Sequence, residues 1–238
     1  MDHGRKSVGF ADHSEDTFEQ MVNRTVLADA LYQAGQEQEA EALFREAEAL
    51  QIKSQPQFGY LYSLWGYRFC ELLLDEGAYD EVFTRATQTL ESAIEYSNLL
   101  SIALDRLSLA RVAMAGVGSE AEETLAMTGM LDRAVGGLRD AGVQHHLPRG
   151  LLARADWYGQ RGLVAEAARD SVEAREIAER GEMRLFLVDV ALGQCRAARA
   201  AGEAEAASGY WDEARGLIEV TGYHRRDETL AALAAGME

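Results

Sequence analysis

"LADALYQAGQEQEAEALFREA" spans residues 27–47. Its apolar and small residues Leu27, Ala28 and Leu31 keep a helical spacing, stop at Gly35, and resume at Ala40, Phe44 and Ala47. The second set is an i, i+4, i+7 stripe, one face of a helix. Glycine just past such a pattern marks a helix end, because it enters the left-handed region without a Cβ clash. The stretch therefore predicts a helix, a tight turn and an antiparallel second helix. Small residues in the stripe let the two backbones approach closely.

The pattern recurs along the chain. Taking Gly35, Gly77, Gly162 and Gly202 as rulers, the position seven residues before each is Ala28, Cys70, Ala155 and Cys195. Five residues after each come Ala40, Val82, Ala167 and Ala207; nine after, Phe44, Ala86, Ser171 and Trp211; twelve after, Ala47, Thr89, Ala174 and Ala214. A fifth, irregular unit has Ala110 before Gly116, then Met127, Leu131 and Ala134 after a longer connection, "GVGSEAEE". A fixed period of about 40 residues is the signature of a stacked-repeat architecture. The fold class expected is all-α, a right-handed α-α superhelix of about five helix pairs with a C-terminal capping helix.

Residues 27–47 resemble the tetratricopeptide repeat at Leu27, Ala28, Leu31, Gly35, Ala40, Phe44 and Ala47. The chain departs from that family in two ways. Its units are longer than the usual 34 or so residues, and Arg24, Gly66, Leu151 and Ala191 stand where the family places a tryptophan. "LYSLWGYRFCELLL", "LRDAGVQHHLPRGLLARA" and "TGYHRRDETLAAL" are further similar to a bacterial subgroup of these repeats. That resemblance implies an array working with signalling NTPase or other effector domains, none of which is in this sequence. The TPR-like array is expected over residues 14–221, with Ser14 as N-cap of the first helix. Residues 1–13 are expected to be a flexible segment, and residues 222–238 a capping helix with Asp227 as its N-cap.

Composition narrows the function classes. The 238 residues carry 23 Lys and Arg against 40 Asp and Glu, a net charge of −17. Seven basic and 18 acidic residues fall in the first 100. Phosphate recognition needs concentrated Lys and Arg, so neither nucleic acid nor an anionic membrane is an expected partner. No apolar run approaches a membrane span, and the N-terminus lacks the apolar stretch of a signal peptide. Two distant cysteines, Cys70 and Cys195, form no disulfide framework, which fits a reducing, cytoplasmic compartment. Both occupy the small-residue register, where a thiol packs as a small hydrophobe.

Other stretches invite chemistry and lose it on inspection. The adjacent His145 and His146 lie on a connection before Pro148, a residue suited to a helix's first turn. They have no Cys, Asp or Glu at metal-ligand spacing, so no metal is expected. "GVGSEAE" lacks the third glycine and the preceding strand of a phosphate loop, so no cofactor is expected. Arg225 and Arg226 could hold an anion, but a cap over the open end of the stack is the favoured reading of "TGYHRRDETLAAL". With no nucleophile–base pair in view, the chain is not expected to be an enzyme.

A protein- or peptide-binding scaffold is the function expected. The positions one and four residues after the small register are the candidate partner contacts. They are Asp29 and Tyr32, Glu71 and Leu74, Arg111 and Met114, Asp156 and Gly159, and Arg196 and Arg199. The first choices are Asp29, Tyr32, Glu71, Arg111, Asp156, Arg196 and Arg199, facing a partner with basic segments. The alternative is a regulatory sensor that binds a small ligand or signal peptide and controls an effector. The first helix carries Phe18, Met21 and Val22 with no evident cover. That apolar end is expected to make a homodimer, to dock another chain, or to be covered by residues 1–13 folding back.

Overall fold

The computed structural model describes residues 2–116 and 121–235. The "GVGSEAE" connection therefore falls largely outside the described residues. All regular structure among the described residues is helical, and none of the helices is long and apolar enough to cross a membrane. The chain forms two compact units, residues 1–116 and 117–238.

The first unit contains α1 (Asp2–Asp12), α2 (Thr17–Gln33), α3 (Glu37–Ser54), α4 (Ser63–Asp75), α5 (Tyr79–Glu95) and α6 (Leu99–Gly116). The second contains α7 (Ala121–Asp140), α8 (Leu147–Gln160), α9 (Val164–Arg180), α10 (Arg184–Ala201), α11 (Ala204–Thr221) and α12 (Asp227–Ala234). Within the units α2 packs on α3, α4 on α5, α8 on α9 and α10 on α11. First helices of successive pairs also touch: α2 meets α4, α4 meets α6, and α8 meets α10.

The four ruler glycines turn each pair. Gly35, Gly77, Gly162 and Gly202 all have φ between +72° and +76°. Beyond each, an amide reaches back to the helix: Gln36 N to Leu31 O (2.9 Å), Ala78 N to Leu73 O (2.8 Å), Leu163 N to Tyr158 O (3.0 Å) and Glu203 N to Ala198 O (2.9 Å). This closes carbonyls that the helix end leaves open. Two joints between pairs, α5 to α6 and α9 to α10, use the same bond without glycine at the turn. Ser97 and Glu182 sit at φ 53° and 52°, with Asn98 N bonded to Ala93 O and Met183 N to Ala178 O.

The predicted register is the core. Ala28, Cys70, Ala110, Ala155 and Cys195 are buried, as are Ala40, Val82, Ala207, Phe44, Ala86, Ala47, Thr89, Ala174 and Ala214. Ala167, Ser171 and Trp211 are only partly covered. Phe44 stacks on Phe69 with centroids 5.0 Å apart, tying the first pair to the second. Truncating such a ring costs about 3–5 kcal/mol. Cys70 and Cys195 are free thiols in different units.

The C-terminal end is closed by the expected capping helix, and residues 2–12, within the segment expected to be flexible, take the fold-back alternative as a helix. Residues 2–12 form helix α1 on α2, where Ala11 is buried and a Cβ on Gly4 would lie 2.9 Å from Leu27 Cδ1. The expected uncovered edge is correspondingly smaller: Met21 is buried, Val22 is partly covered, and Phe18 stays 51% exposed. The cap of α2 is Asp16, not Ser14, because the Asp16 carboxylate accepts from Phe18 N (2.8 Å) and Glu19 N (3.2 Å). At the other end α12 packs on α10 and α11. Leu233 is buried there, and Trp211 Nε1 donates to Leu230 O at 3.0 Å. Asp227 is the first residue of α12, with Arg226 at the cap position after a 3-10 turn over His224–Arg226.

Candidate functional site

The positions one residue after the small register each pair with a charge on a neighbouring first helix. In the first unit Glu71 on α4 is buried and pairs with Arg111 on α6. Asp29 on α2 takes Arg68 on α4 (3.2 Å) and accepts from Gln33 Nε2 (2.9 Å). In the second unit Asp156 on α8 pairs with Arg196 on α10 at 2.8 Å, with both side chains about half exposed. The cause is the contact between successive first helices, which brings equivalent positions face to face. Opposite charges one repeat apart in sequence are the signal that was available. Glu71 and Arg111 are separated by 40 residues, and so are Asp156 and Arg196.

Two of the expected contacts are corrected by burial. Tyr32 has no exposed surface; its hydroxyl donates to Glu71 O (2.9 Å) and sits 2.7 Å from Asp75 Oδ2. Its position lies one helical turn past the small register, and α4 covers it. Glu71 is turned inward by the same packing and by Arg111. Arg199 reaches Leu233 O at 2.8 Å and so secures the end of α12. Asp29, Arg111, Asp156 and Arg196 keep accessible surface while holding neighbouring repeats together.

Sequence reasoning missed a buried charged network in the first unit. Arg85 on α5 is 3% exposed and Glu48 on α3 is 8% exposed. They form a two-pronged pair, with Nη2 to Oε1 at 2.9 Å. Glu48 Oε2 also accepts from Leu61 N (2.9 Å), and Gln51 Nε2 donates to Tyr60 O (2.6 Å). The Arg85 guanidinium lies over the rings of Tyr60 (4.6 Å) and Phe69 (4.4 Å). The network clamps the connection between α3 and α4. Nothing local in the sequence tells a buried Glu48 from its exposed acidic neighbours on α3.

Titration follows burial. Desolvation pushes the Cys70 thiol up to about 12, with nearby Arg85 opposing; it also raises Cys195. Neither is an activated nucleophile, which needs a depressed thiol. Burial on α6 pushes Asp105 up to about 7, opposed by a hydrogen bond with Thr89. Hydrogen bonding to Arg45, then to Arg85, outweighs burial and holds Glu81 down at about 2.

The sites flagged in the sequence as tempting resolve structurally. His145 and His146 form a 3-10 turn over Gln144–His146 that leads into α8, with Pro148 in its first turn. Gly150 follows because a Cβ there would come within 2.8 Å of Leu138 and 3.1 Å of Val135. No group of three or more His, Cys, Asp or Glu side chains among the described residues is placed to hold a metal ion. Arg226 is committed to Asp189 (Nε to Oδ1, 2.7 Å), which also lies 3.2 Å from the Tyr223 hydroxyl. A shallow groove of about 330 Å³ runs along α1 and α2, lined by Phe10, Phe18 and Val22 among others.

No protein-family model and no curated protein matches the sequence. Among solved structures, the chain is similar to aspartyl phosphate phosphatase F from Bacillus subtilis, with a TM-score of 0.61 at 12% identity. The match covers 98% of this chain and 61% of that one, so the chain spans about three fifths of that protein's length. At this identity the likeness concerns the fold: a stack of antiparallel helix pairs.

Proposed function

We propose that the chain is a protein- or peptide-binding scaffold that uses the first helices of its repeats. One observation carries the reading. Successive first helices lie side by side and are bolted together by cross-repeat ion pairs, Asp29–Arg68 and Glu71–Arg111 in one unit and Asp156–Arg196 in the other. A surface fixed in advance loses less entropy on binding, and stacked helix pairs present such surfaces to extended or helical ligands. The fold shared with a solved helical-repeat protein supports this reading, as does the excess of acid over base, which favours partners with basic segments. Asp29, Arg111, Asp156 and Arg196 are the residues we assign to partner contact.

The test is capture from native extract with the intact chain, followed by calorimetry with each retained protein. Binding at defined stoichiometry, weakened at least fivefold by the Asp156→Ala and Arg196→Ala pair of changes, is the expected result. Retention of nothing that binds in calorimetry would end the scaffold reading.

A further inference from the structure

Five aromatic side chains of the first unit form a run. Phe18 on α2 meets Trp65 on α4 edge-to-face at 5.7 Å, and Trp65 meets Tyr62 at 6.0 Å. Tyr62 meets Phe58 at 4.6 Å, and Phe58 meets Tyr96, at the end of α5, at 6.1 Å. The run is not core. Phe18 is half exposed, Tyr96 is 64% exposed, and the three rings between them are partly exposed.

Its middle is held by costly means. Tyr62 follows directly on the connection that Glu48, Arg85 and Gln51 clamp from beneath. Ser63, between Tyr62 and Trp65, starts α4 at φ 56°, a left-handed conformation uncommon outside glycine. Gly66 lies so close to the chain that a Cβ would sit 2.1 Å from Leu61 O. Ser97, directly after Tyr96, is a second non-glycine residue at positive φ. Backbone strain persists where the surroundings over-determine it, and it gathers at functional surfaces.

The flanks are acidic. Glu15 and Glu19 lie close to Phe18 in sequence, Glu95 directly precedes Tyr96 with Glu91 one turn earlier on α5, and all four are exposed. Among the described residues none of the four makes an ion pair. Lys53, in the last turn of α3, is the one basic residue in sequence between α3's last turn and Trp65. Ring faces carry negative quadrupoles that attract cations, arginine above all.

We propose that this aromatic run is a docking platform for an extended peptide segment rich in arginine, its guanidinium groups laid on the rings and paired with the flanking carboxylates. The proposal rests on the scaffold reading and names one surface and one partner chemistry for it.

The test uses the intact chain and a fluorescein-labelled peptide of five arginine–proline repeats, held extended by its prolines. Anisotropy is measured for the parent and for Tyr62→Ala, Tyr96→Ala and Phe83→Ala. All three variants keep the net charge, and Phe83 is an exposed ring on α5 that, among the described residues, stacks on no ring of the run. Tyr96 is exposed enough that its removal leaves folding intact, checked by circular dichroism. We expect Tyr62→Ala and Tyr96→Ala each to weaken binding about fivefold or more, and Phe83→Ala to leave it unchanged. Equal binding by all four proteins would mean attraction by net charge alone and would overturn the platform. So would concentration-dependent self-association lost in Tyr96→Ala, since the run would then seat a second copy. If the ring variants bind like the parent while the Asp156→Ala and Arg196→Ala changes abolish capture, the platform fails and the scaffold stands. If neither peptide nor protein binds, both fail.

Discussion

Arg85→Leu removes the cation from the clamp beneath the connection of α3 to α4. The loss has three parts. Glu48 keeps its buried carboxylate with only the Leu61 amide as a close partner. Leaving one member of a buried pair uncompensated costs about 3–5 kcal/mol. The guanidinium contacts to Tyr60 and Phe69 add about 0.5–2 kcal/mol. The i, i+4 pair with the part-exposed Glu81 contributes only about 0.5 kcal/mol. Leucine recovers some of this by apolar packing, so the net expectation is about 3–5 kcal/mol. In a stacked array, stability is a sum of unit and neighbour terms, so the damage is confined to the first unit. Urea unfolding followed by fluorescence, with Trp65 in the first unit and Trp157 and Trp211 in the second, gives the stability, and hydrogen exchange at the Leu61 amide reports the clamp itself. Adding Glu48→Gln should restore part of the loss, because the stranded charge is gone. A single variant within about 0.5 kcal/mol of the parent would refute the buried-pair reasoning. So would a double variant no more stable than the single one.

Four further outcomes are expected. Asp105 has its folded-state carboxyl pushed up to about 7 from an ordinary 3.8, so the folded form holds a proton that the unfolded form has released between about pH 4 and 7. Stability should fall as pH rises through that window, by up to about 4 kcal/mol. Asp105→Asn should flatten the dependence and be the more stable protein above pH 7, read from urea midpoints at pH 5 and pH 8. Ser97→Gly and Glu182→Gly each relieve a left-handed non-glycine turn and should stabilise by about 0.5–1 kcal/mol in thermal melts, with loss of stability the contrary result. Gly66→Ala should cost about 1–3 kcal/mol or more by forcing α4 away from Leu61 O, and a neutral melt would show the connection to be loose. Native labelling of Cys70 and Cys195 by a thiol reagent should be slow and should accelerate in urea, since both are buried and their thiols are raised; fast native labelling would count against the packing.

The helix pairs were legible because their cause is local and periodic. Gly35, Gly77, Gly162 and Gly202 are the residues a left-handed turn selects, and the stripes at fixed distances from them are what a helix needs to bury a face. The inter-pair joints were harder to see, since Ser97 and Glu182 make the same turn with residue types that carry no such signal. Helix α1 was not legible as a helix because residues 2–12 carry few apolar residues, Val8, Phe10 and Ala11, and two helix-weakening glycines, Gly4 and Gly9; they are ordered by their contact with α2, through Ala11 and the space at Gly4. Asp16 displaced Ser14 as cap because both are competent there and the choice depends on where α1 delivers the chain.

The candidate site divides along the same line. Residue type and register alone determined that Asp29, Glu71, Arg111, Asp156 and Arg196 share equivalent places on the first helices. Only tertiary packing decided that Glu71 meets Arg111 and Asp156 meets Arg196, that Tyr32 is sealed under α4, and that Glu48 and Arg85 are buried together. The aromatic run likewise draws its members from α2, the α3–α4 connection, α4 and the end of α5. Periodicity within one helix is written in neighbours three and four residues apart. A contact between helices joins residues about 40 apart, and its identity depends on how deeply each pair of helices buries the charges and rings it brings together.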